Sequence, residues 1–303
     1  MTGPDVSVVV PTYNREGMVA ASVASLLAQT GIDFEVIVVD DGSTDATLER
    51  LTAIGDPRLR IVSVPHGGVA TARNAGVAAC RGRYVAFHDS DDEALPGRLA
   101  RPVEVLTARP ELGLVIMNGV MLPLEIGGVE TPWIKPEVTQ TLTGRTIGAA
   151  EVFRRNLGQL QGMCFTRAAL DAAGPFDPSF RILDDLDLVL RVAARHPAVF
   201  VDEPAFRYRQ HAGGLARDRT TIREEAIRIA EKLIRVHPEI LPVLGRAEFV
   251  RRQARRYARL ARARMRDGDP LGARVALRQA RDLRPLNLRY RLEALWLRLR
   301  PGS

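Results

Sequence analysis

The chain has little of what a disulfide-rich secreted protein or a membrane-spanning protein needs. It contains two cysteines, Cys80 and Cys164, too few for a disulfide framework or a cysteine-based zinc site, so we interpret both as core residues. No apolar run approaches the ~18 residues of a membrane-spanning helix. No signal-peptide pattern follows Met1. We therefore expect an intracellular, cytoplasmic protein.

Acidic residues are scarce near the end of the sequence. Residues 217–303 contain 23 Lys and Arg but only 10 Asp and Glu, so this segment carries a formal charge of +13. The whole chain carries +7, which leaves −6 for the preceding residues. Because the two parts differ in sign, we expect them to face different partners. The length of 303 residues suits one large domain or two ordinary ones.

Short apolar runs alternate with helical patterns through most of the acidic part. This alternation predicts an α/β fold, with a mainly parallel, Rossmann-like sheet covered by helices on both faces. The region 125–148 is rich in glycine and proline and is interpreted as a mobile loop near the site. The predicted strands are 6–10, 34–39, 58–64, 84–87, 113–119 and 198–209, and the predicted helices include 17–29, 69–80 and 183–194.

The basic part is predicted to be almost entirely helical. Residues 257–285 are similar to one tetratricopeptide-type helical hairpin, although about three repeats are needed for independent stability. The hairpin is therefore expected to pack on the rest of the protein or on a second copy of itself. We divide the chain into a catalytic domain, 1–215, and a basic helical region, 216–303. The predicted helices of that region are 222–236, 246–266, 270–283 and 286–299.

Polar residues concentrate where three predicted strands end. Thr12-Tyr13-Asn14 ends the first strand, Asp40-Asp41 the second, and Asp89-Ser90-Asp91 follows the apolar run 84–87. Ligands of open α/β sheets gather at the carboxyl ends of the strands. The three strand ends are therefore expected to face one crevice.

Each acidic cluster has a structural interpretation beside the functional one. Asp40 or Asp41 can accept hydrogen bonds from a nucleobase or a ribose, or can belong to a plain turn and helix cap. Asp89 and Asp91 project to the same side of an extended segment, where they can hold a divalent cation or form a solvated turn. Asp92 and Glu93 are interpreted as the start of a helix.

Three further positions are candidates on weaker grounds. Arg73 follows a glycine turn and can hold a phosphate or a base, or be solvated on a helix. Asp184 and Asp185 head a predicted helix, where one carboxylate is either an N-cap or a general base that reaches an acceptor hydroxyl. His211 is either an ordinary histidine or a second protein ligand to an ion held by Asp91.

Taken together, seven segments in one order resemble the family 2 glycosyltransferases. Each segment alone is a weak signal, whereas the ordered set is specific, and it extends to about residue 215. The segments are Val8-Val9-Val10-Pro11-Thr12-Tyr13-Asn14-Arg15, Val38-Val39-Asp40-Asp41-Gly42-Ser43-Thr44-Asp45, Ala72-Arg73-Asn74 with Gly76, Asp89-Ser90-Asp91-Asp92, Ala173-Gly174-Pro175-Phe176-Asp177, Asp184-Asp185-Leu186-Asp187-Leu188-Val189-Leu190-Arg191, and Tyr208-Arg209-Gln210-His211.

The resemblance implies a GT-A fold, a nucleotide-diphosphate-sugar donor, an Mg²⁺ or Mn²⁺ cofactor and inversion at the anomeric carbon. It implies Asp185 as the catalytic base and Asp91 and His211 as metal ligands. It further implies that Arg73 supports the nucleotide and that Asp89 lies near the ribose. The nucleoside pocket is expected to be lined by Pro11, Thr12, Tyr13 and Asp41, with Asp40 beside it.

Three positions depart from the family pattern. Asp184 stands where a glutamate is usual, and Leu186 stands where an aromatic residue is usual, so contacts with the acceptor are expected to differ. His88 occupies a position that is more often apolar. None of these changes removes the base or the metal ligand.

The acceptor is expected to be a saccharide or a lipid-linked saccharide, with specificity determined in the region 125–161. A peptide or a small natural product is the alternative acceptor. A non-catalytic scaffold that binds sugar nucleotides is a further alternative, disfavoured because Asp91, Asp185 and His211 are all present.

The sequence of the basic helical region is compatible with more than one partner. Its arginines occur at helical spacing, which suits either a solvated helix face or peripheral contact with an anionic membrane. A homodimer through these helices is also considered. Nucleic acid is not expected as a partner, because no nucleic-acid-binding motif is present and the catalytic part is acidic.

Overall fold

The computed structural model describes residues 3–123, 129–210 and 218–299, with side chains in the last range as far as 295. His211, a predicted metal ligand, lies outside the described residues. The chain divides into two compact units, Met1–Gly213 and Gly214–Ser303.

The first unit is built on a mixed sheet whose described strands follow the order β3-β2-β1-β4-β9-β6-β10-β5, with β7 beside β6 and β8 beside β10. Strands β1 to β4 are parallel to one another, and β6 is parallel to β10. The strands are β1 Val6–Thr12, β2 Phe34–Asp40, β3 Leu59–Ser63, β4 Tyr84–Phe87, β5 Glu93–Ala94, β6 Leu114–Leu122, β7 Thr131–Pro132, β8 Thr146–Ile147, β9 Met163–Thr166 and β10 Ala198–Arg209.

Helices connect these strands and cover the sheet. Their close approach depends on small residues: a Cβ at Gly76 in α3 would overlap the side chain of Val9 in β1. A short 3₁₀ helix, Leu160–Gly162, precedes β9. The helices of the first unit are α1 Val19–Leu27, α2 Thr47–Thr52, α3 Val69–Ala79, α4 Ala100–Ala108, α5 Pro136–Leu142, α6 Ala149–Arg155, α7 Arg167–Ala173 and α8 Asp184–Arg195.

The central strands are buried along their whole length. All seven residues of β1 and all seven of β2 are buried, as expected for parallel strands covered on both faces. Their register pairs Thr12 with Asp40 at the carboxyl ends. Two strand ends that carry polar residues therefore lie side by side.

Several elements differ from the sequence-based prediction, among them β9, α5 and the short strands β5, β7 and β8. Strand β9 inserts antiparallel between β4 and β6, and its four residues are too few to show a strand period. Helix α5 lies inside the region that was predicted to be a loop, and it begins with Pro136, which suits the first turn of a helix. The loop prediction for residues 136–142 was therefore wrong.

The second unit is helical throughout its described range. Its core contains many alanines, among them Ala254, Ala258 and Ala273, and such small side chains let helices approach closely. Within the described ranges, no helix is long and apolar enough to cross a membrane. The helices are α9 Arg219–Val236, α10 Ile240–Leu244, α11 Arg246–Arg266, α12 Pro270–Leu283 and α13 Leu288–Leu299.

Candidate active site

The loop after β1 is fixed to the loop after β2 by hydrogen bonds through Asn14. Asn14 adopts a positive φ of 50°, a conformation that asparagine tolerates better than most residues. Its backbone N–H donates to Ser43 Oγ at 2.9 Å, and its Oδ1 accepts from the Thr44 N–H at 2.9 Å. Tyr13, the residue before Asn14, has an exposed side chain.

Asp41 is a buried anchor for the loop that follows β3. Its carboxylate accepts the N–H groups of Gly67 and Gly68 at 2.8 and 2.9 Å. His66 Nδ1 lies 2.9 Å from Asp41 Oδ2. The His66 ring stacks on Tyr13, with 4.2 Å between ring centroids. Asp41 thus positions an exposed two-ring surface, and His66 was not singled out from the sequence.

Asp40 and Thr12 are both buried beside this surface. The Asp40 carboxylate accepts the Ser43 N–H at 3.3 Å, a turn contact that matches its structural interpretation. The Thr12 hydroxyl has no hydrogen-bond partner within the described ranges.

The segment after β4 forms a compact acidic cluster. Ligand atoms of Asp89, Asp91 and Asp92 all lie within 4.8 Å of one another. Asp92 is buried, and the short strand β5 follows it, so the prediction that Asp92 and Glu93 begin a helix was wrong. Its Oδ1 accepts the Arg209 N–H at 3.2 Å, while its Oδ2 has no well-formed hydrogen bond among the described residues.

The electrostatics of this cluster fit a divalent cation. Burial raises the pKa of Asp92 well above its ordinary value, and the neighbouring Asp89 and Asp91 carboxylates raise it further. Burial also raises the pKa of Asp89, although Arg73 opposes that effect. Three carboxylates that repel one another, one with an unsatisfied buried oxygen, supply the hard oxygen ligands that Mg²⁺ and Mn²⁺ prefer.

Two polar side chains border the cluster. Arg15 Nε lies 3.4 Å from Asp91 Oδ2. Gln161, in the 3₁₀ helix, donates from Nε2 to Asp89 Oδ2. Sequence reasoning gave Gln161 no role, because a single glutamine in a divergent loop carries no recognisable signal.

Arg73 connects the acidic cluster to the start of α8. Its Nη1 donates to both carboxylate oxygens of Asp184, at 2.9 and 2.8 Å, and its Nη2 donates to Asp89 Oδ1 at 3.0 Å. Burial alone would lower the pKa of Arg73, but Asp184, Asp89 and Asp185 together raise it, so the guanidinium stays charged. Arg73 is buried, and its described hydrogen bonds go to protein carboxylates.

Asp185 lies in the first turn of α8, next to this ion pair. Leu183, not Asp184 or Asp185, is the N-cap residue, so the capping interpretation was wrong. Burial and then the Asp184 carboxylate raise the pKa of Asp185 to about 8, against the opposing effect of Arg73. A carboxyl group whose pKa is raised toward the working pH is suited to act as a general base.

Asn74 makes two hydrogen bonds to the backbone of the segment 173–177. Its Nδ2 donates to the Phe176 carbonyl at 3.0 Å, and its Oδ1 accepts the Phe176 N–H at 2.8 Å. The Phe176 ring faces the Arg73 guanidinium at 5.7 Å. The Arg73-Asn74 pair therefore fixes the segment that leads toward α8.

His88 is fully buried, and neither ring nitrogen has a hydrogen-bond partner among the described residues. Burial and the nearby Arg98 lower its pKa to about 3. His88 is therefore neutral, and it occupies its usually apolar position as a packed, uncharged ring.

Comparisons with known proteins identify a family for part of the chain. Residues 7–126 match the family model described as Glycosyl transferase family 2. The chain carries a glycosyltransferase family 2 segment. This segment contains the ends of β1, β2 and β4, and hence the Asp41 anchor and the acidic cluster.

The chain is also similar to curated relatives, most of them over about a third of its length and one over 68% of it. The succinoglycan biosynthesis protein ExoO of Rhizobium meliloti is 47% identical over 102 residues, which cover 33% of this chain and 29% of that protein. The chain spans between 10% and 65% of the length of the first curated relatives it matches.

Solved structures extend the likeness in fold beyond the family 2 segment. Staphylococcus aureus TarS 1-349 in complex with UDP-GlcNAc gives a TM-score of 0.68 at 18% identity, over 97% of this chain and 89% of that one. The mannosyltransferase PcManGT from Pyrobaculum calidifontis, in complex with GDP-Man and Mn²⁺, gives 0.63 at 21% identity, over 98% and 84%. These matches confirm the predicted GT-A fold with a helical region after it.

In the structure, the described site residues that were predicted from the sequence fall into two groups. Thr12, Tyr13, Asp40 and Asp41 lie at adjoining strand ends, and Pro11 is buried within β1. Arg73 contacts both Asp89 and the start of α8, and Asp91 lies beside Asp89 in the acidic cluster. Sequence reasoning singled out neither His66 nor the contact of Gln161 with Asp89, and it named Asn74 only as part of a motif, without a role.

Proposed function

We propose that the protein is an inverting glycosyltransferase that moves a sugar from a nucleotide-diphosphate-sugar to an acceptor hydroxyl. The observation that carries the proposal is the Arg73 bridge, which joins the acidic cluster at Asp89 to the helix start at Asp184 and Asp185. On this proposal, a cation site on the donor side and a base on the acceptor side lie next to each other.

The nucleoside of the donor is proposed to lie against Tyr13 and His66. A stacked, exposed pair of rings is a suitable platform for a planar base. Thr12 and Asp40 line the same strand ends, and Thr12 has a buried hydroxyl available for a hydrogen bond. Asp41 contributes by holding His66 and the Gly67-Gly68 turn in place, and Asp89 lies beside the ribose.

The cofactor is proposed to be Mg²⁺ or Mn²⁺. Asp91 would hold the ion together with Asp89 or Asp92, and His211 remains a proposed ligand outside the described residues. When bound, such an ion offsets the negative charge of a diphosphate. The Mn²⁺ named in the PcManGT complex supports a divalent ion here.

The chemical step is proposed to be a single displacement. Asp185 accepts the proton of the acceptor hydroxyl while that oxygen forms a bond to the anomeric carbon. The bond from the anomeric carbon to the diphosphate oxygen breaks, and its electron pair leaves with the nucleoside diphosphate. Attack from the opposite face inverts the anomeric configuration, and no enzyme-bound sugar forms.

The acceptor is proposed to be a glycan or a lipid-linked saccharide. The polysaccharide-biosynthesis relative ExoO supports this class over a peptide or a small natural product. We place the protein in the cytoplasm, at the membrane when it meets a lipid-linked acceptor. A homodimer through the helices of the second unit remains a prediction.

A turnover screen tests the proposal. Nucleotide-diphosphate-sugars are incubated with the full chain and Mg²⁺ or Mn²⁺, and release of nucleoside diphosphate is measured with and without saccharide acceptors. We expect release from at least one donor, and its loss in Asp185→Asn. A chain that binds donors but never turns one over with any acceptor would favour the scaffold alternative.

A further inference from the structure

Helix α13 exposes a row of leucines that no described residue covers. Leu288, Leu292 and Leu295 are 71%, 65% and 53% exposed. At about 100° per residue they lie within an arc of about 60° on one side of the helix. Leu286, in the turn before α13, is 86% exposed. We call these four residues the leucine face.

The leucine face is not the side of α13 that packs on its own unit. Tyr290 is 5% exposed and belongs to the core of the second unit, and Ala294 packs against that core. On the helix these two residues lie roughly opposite Leu292. Glu293 is also on the packed side, where its carboxylate accepts a hydrogen bond from Arg262 of α11 at 2.7 Å. Helix α13 is thus apolar on two opposite sides, and packing within the unit explains one of them.

Cationic side chains border the leucine face. Arg289 and Arg291 alternate with the leucines along α13, and both are exposed. Arg284 is exposed in the turn that also holds Leu286. The excess of basic residues continues through the unit, because residues 217–303 carry a formal charge of +13. Apolar side chains bordered by arginines match an anionic surface with an apolar interior.

The charge also distinguishes between the partners that such a face could meet. A second copy would bring another unit of high positive charge against the same face, and repulsion would oppose that contact. In an anionic bilayer the arginines instead meet lipid phosphates while the leucines enter the acyl boundary. The observations therefore favour lipid over self-association.

We propose that the leucine face of α13 docks the protein on an anionic lipid bilayer. Docking does not depend on the glycosyl-transfer proposal, since none of its residues belongs to the candidate active site. It would hold the chain at a surface, where lipid-linked molecules are concentrated.

Vesicle co-sedimentation of the full chain tests the docking face. Vesicles of phosphatidylcholine with about 30 mol% phosphatidylglycerol are compared with pure phosphatidylcholine at low salt and at about 0.5 M salt. We expect binding to the anionic vesicles at low salt, and at least about fivefold less binding at high salt or to neutral vesicles.

Substitutions at two equally exposed positions test whether the leucine face is the surface that binds the vesicles. Leu292→Ser is paired with Val243→Ser, because Val243 in α10 is 66% exposed against 65% for Leu292. We expect Leu292→Ser to weaken vesicle binding about threefold or more, and Leu288→Ser/Leu292→Ser/Leu295→Ser to weaken it by about tenfold or more. Val243→Ser is expected to stay within about twofold of the wild type. Circular dichroism on heating verifies that each variant is folded, and Leu292→Ser alone suffices if the triple variant is not.

Three results would overturn the proposal. The first is that the wild type does not bind anionic vesicles at low salt. The second is that Leu292→Ser binds them as well as the wild type does. The third is that the wild type binds no vesicles but sediments as a dimer, which Leu292→Ser converts to a monomer. Nucleotide-sugar turnover in solution is measured in parallel. A chain that docks but turns over no donor would count against the proposed function and leave the docking face intact.

Discussion

Arg73 and Asp184 form a buried ion pair in which Nη1 of the arginine donates to both carboxylate oxygens, at 2.9 and 2.8 Å. Asp184 is 0% exposed, so Arg73 is placed to neutralise its charge. The same guanidinium reaches Asp89, and one side chain therefore couples α3, α8 and the acidic cluster.

Removing Arg73 should destabilise the fold strongly. Arg73→Gln leaves Asp184 as a buried charge without its guanidinium partner, and we expect a loss of about 3–5 kcal/mol in the free energy of unfolding. Urea denaturation measures this loss. Arg101 offers the control, because its two ion pairs, with Glu104 and Glu203, lie at the surface, and Arg101→Gln should cost less than about 1 kcal/mol. A double variant, Arg73→Gln/Asp184→Asn, should recover part of the loss; no recovery would contradict the account of the pair.

Divalent cations should stabilise the protein through the acidic cluster. Mn²⁺ is expected to raise the melting temperature of the wild type, and EDTA should reverse the rise. Asp92→Asn removes like-charge repulsion and should raise the melting temperature without metal, while reducing the increase produced by Mn²⁺. Differential scanning fluorimetry measures both effects. An unchanged Mn²⁺ response in Asp91→Asn would exclude the cluster as the ion site.

The rate of sugar transfer should depend on the ionisation of Asp185. Its pKa is raised to about 8, so the carboxylate that accepts a proton becomes the main form only above that pH. We expect the single-turnover rate to rise about tenfold per pH unit below this value and to level off above it. Asp185→Asn should abolish transfer and retain donor binding. A rate that is flat from pH 6 to about pH 9 would contradict the assignment of Asp185 as the base.

Glu35, which is not part of the candidate active site, should contribute to the free energy of unfolding in a pH-dependent way. Burial would raise its pKa, but hydrogen bonds from Arg81, Ser7 and Arg60 outweigh burial and lower it from 4.5 to about 2. A carboxyl group with a lowered pKa stabilises the fold above its unfolded pKa, and this stabilisation is lost as the pH falls toward 2.

Glu35→Gln is therefore expected to reduce the free energy of unfolding by about 2 kcal/mol at pH 7. The difference from the wild type should shrink between about pH 4.5 and pH 2. Urea denaturation across that range measures the trend. A difference that stays constant with pH would show that shape, rather than charge, accounts for the effect.

Most of the sheet was predictable from sequence because its parallel strands are continuous apolar runs. Residues 6–12 and 34–40 are buried on both faces, which leaves a clear signal followed at once by polar strand ends. Strand β9 was not predictable, because a four-residue antiparallel insertion depends on neighbours that are distant in sequence. Helix α5 was hidden by the surrounding glycines and prolines.

The sequence allowed most residues of the candidate site to be predicted, but not the contacts between them. The ordered motifs gave Asp41, Asp89 and Asp185, but not that Asp41 anchors His66 or that Arg73 is paired with Asp184. Those contacts join residues that are 25 and 111 positions apart, and no local pattern records them. Asp92 was misread because its burial depends on β10, which follows much later in the chain.

The central claim is that the acidic cluster and the strand ends beside it form a divalent-cation-dependent site for a nucleoside diphosphate. Isothermal titration of the full chain with UDP and with GDP, in Mn²⁺ and then in EDTA, tests it most directly. The account predicts binding of at least one of them in Mn²⁺, with a loss of at least about tenfold in affinity in EDTA and in Asp91→Asn. Binding that is equally tight in EDTA and in Asp91→Asn, or no binding of either nucleotide to the wild type, would contradict it.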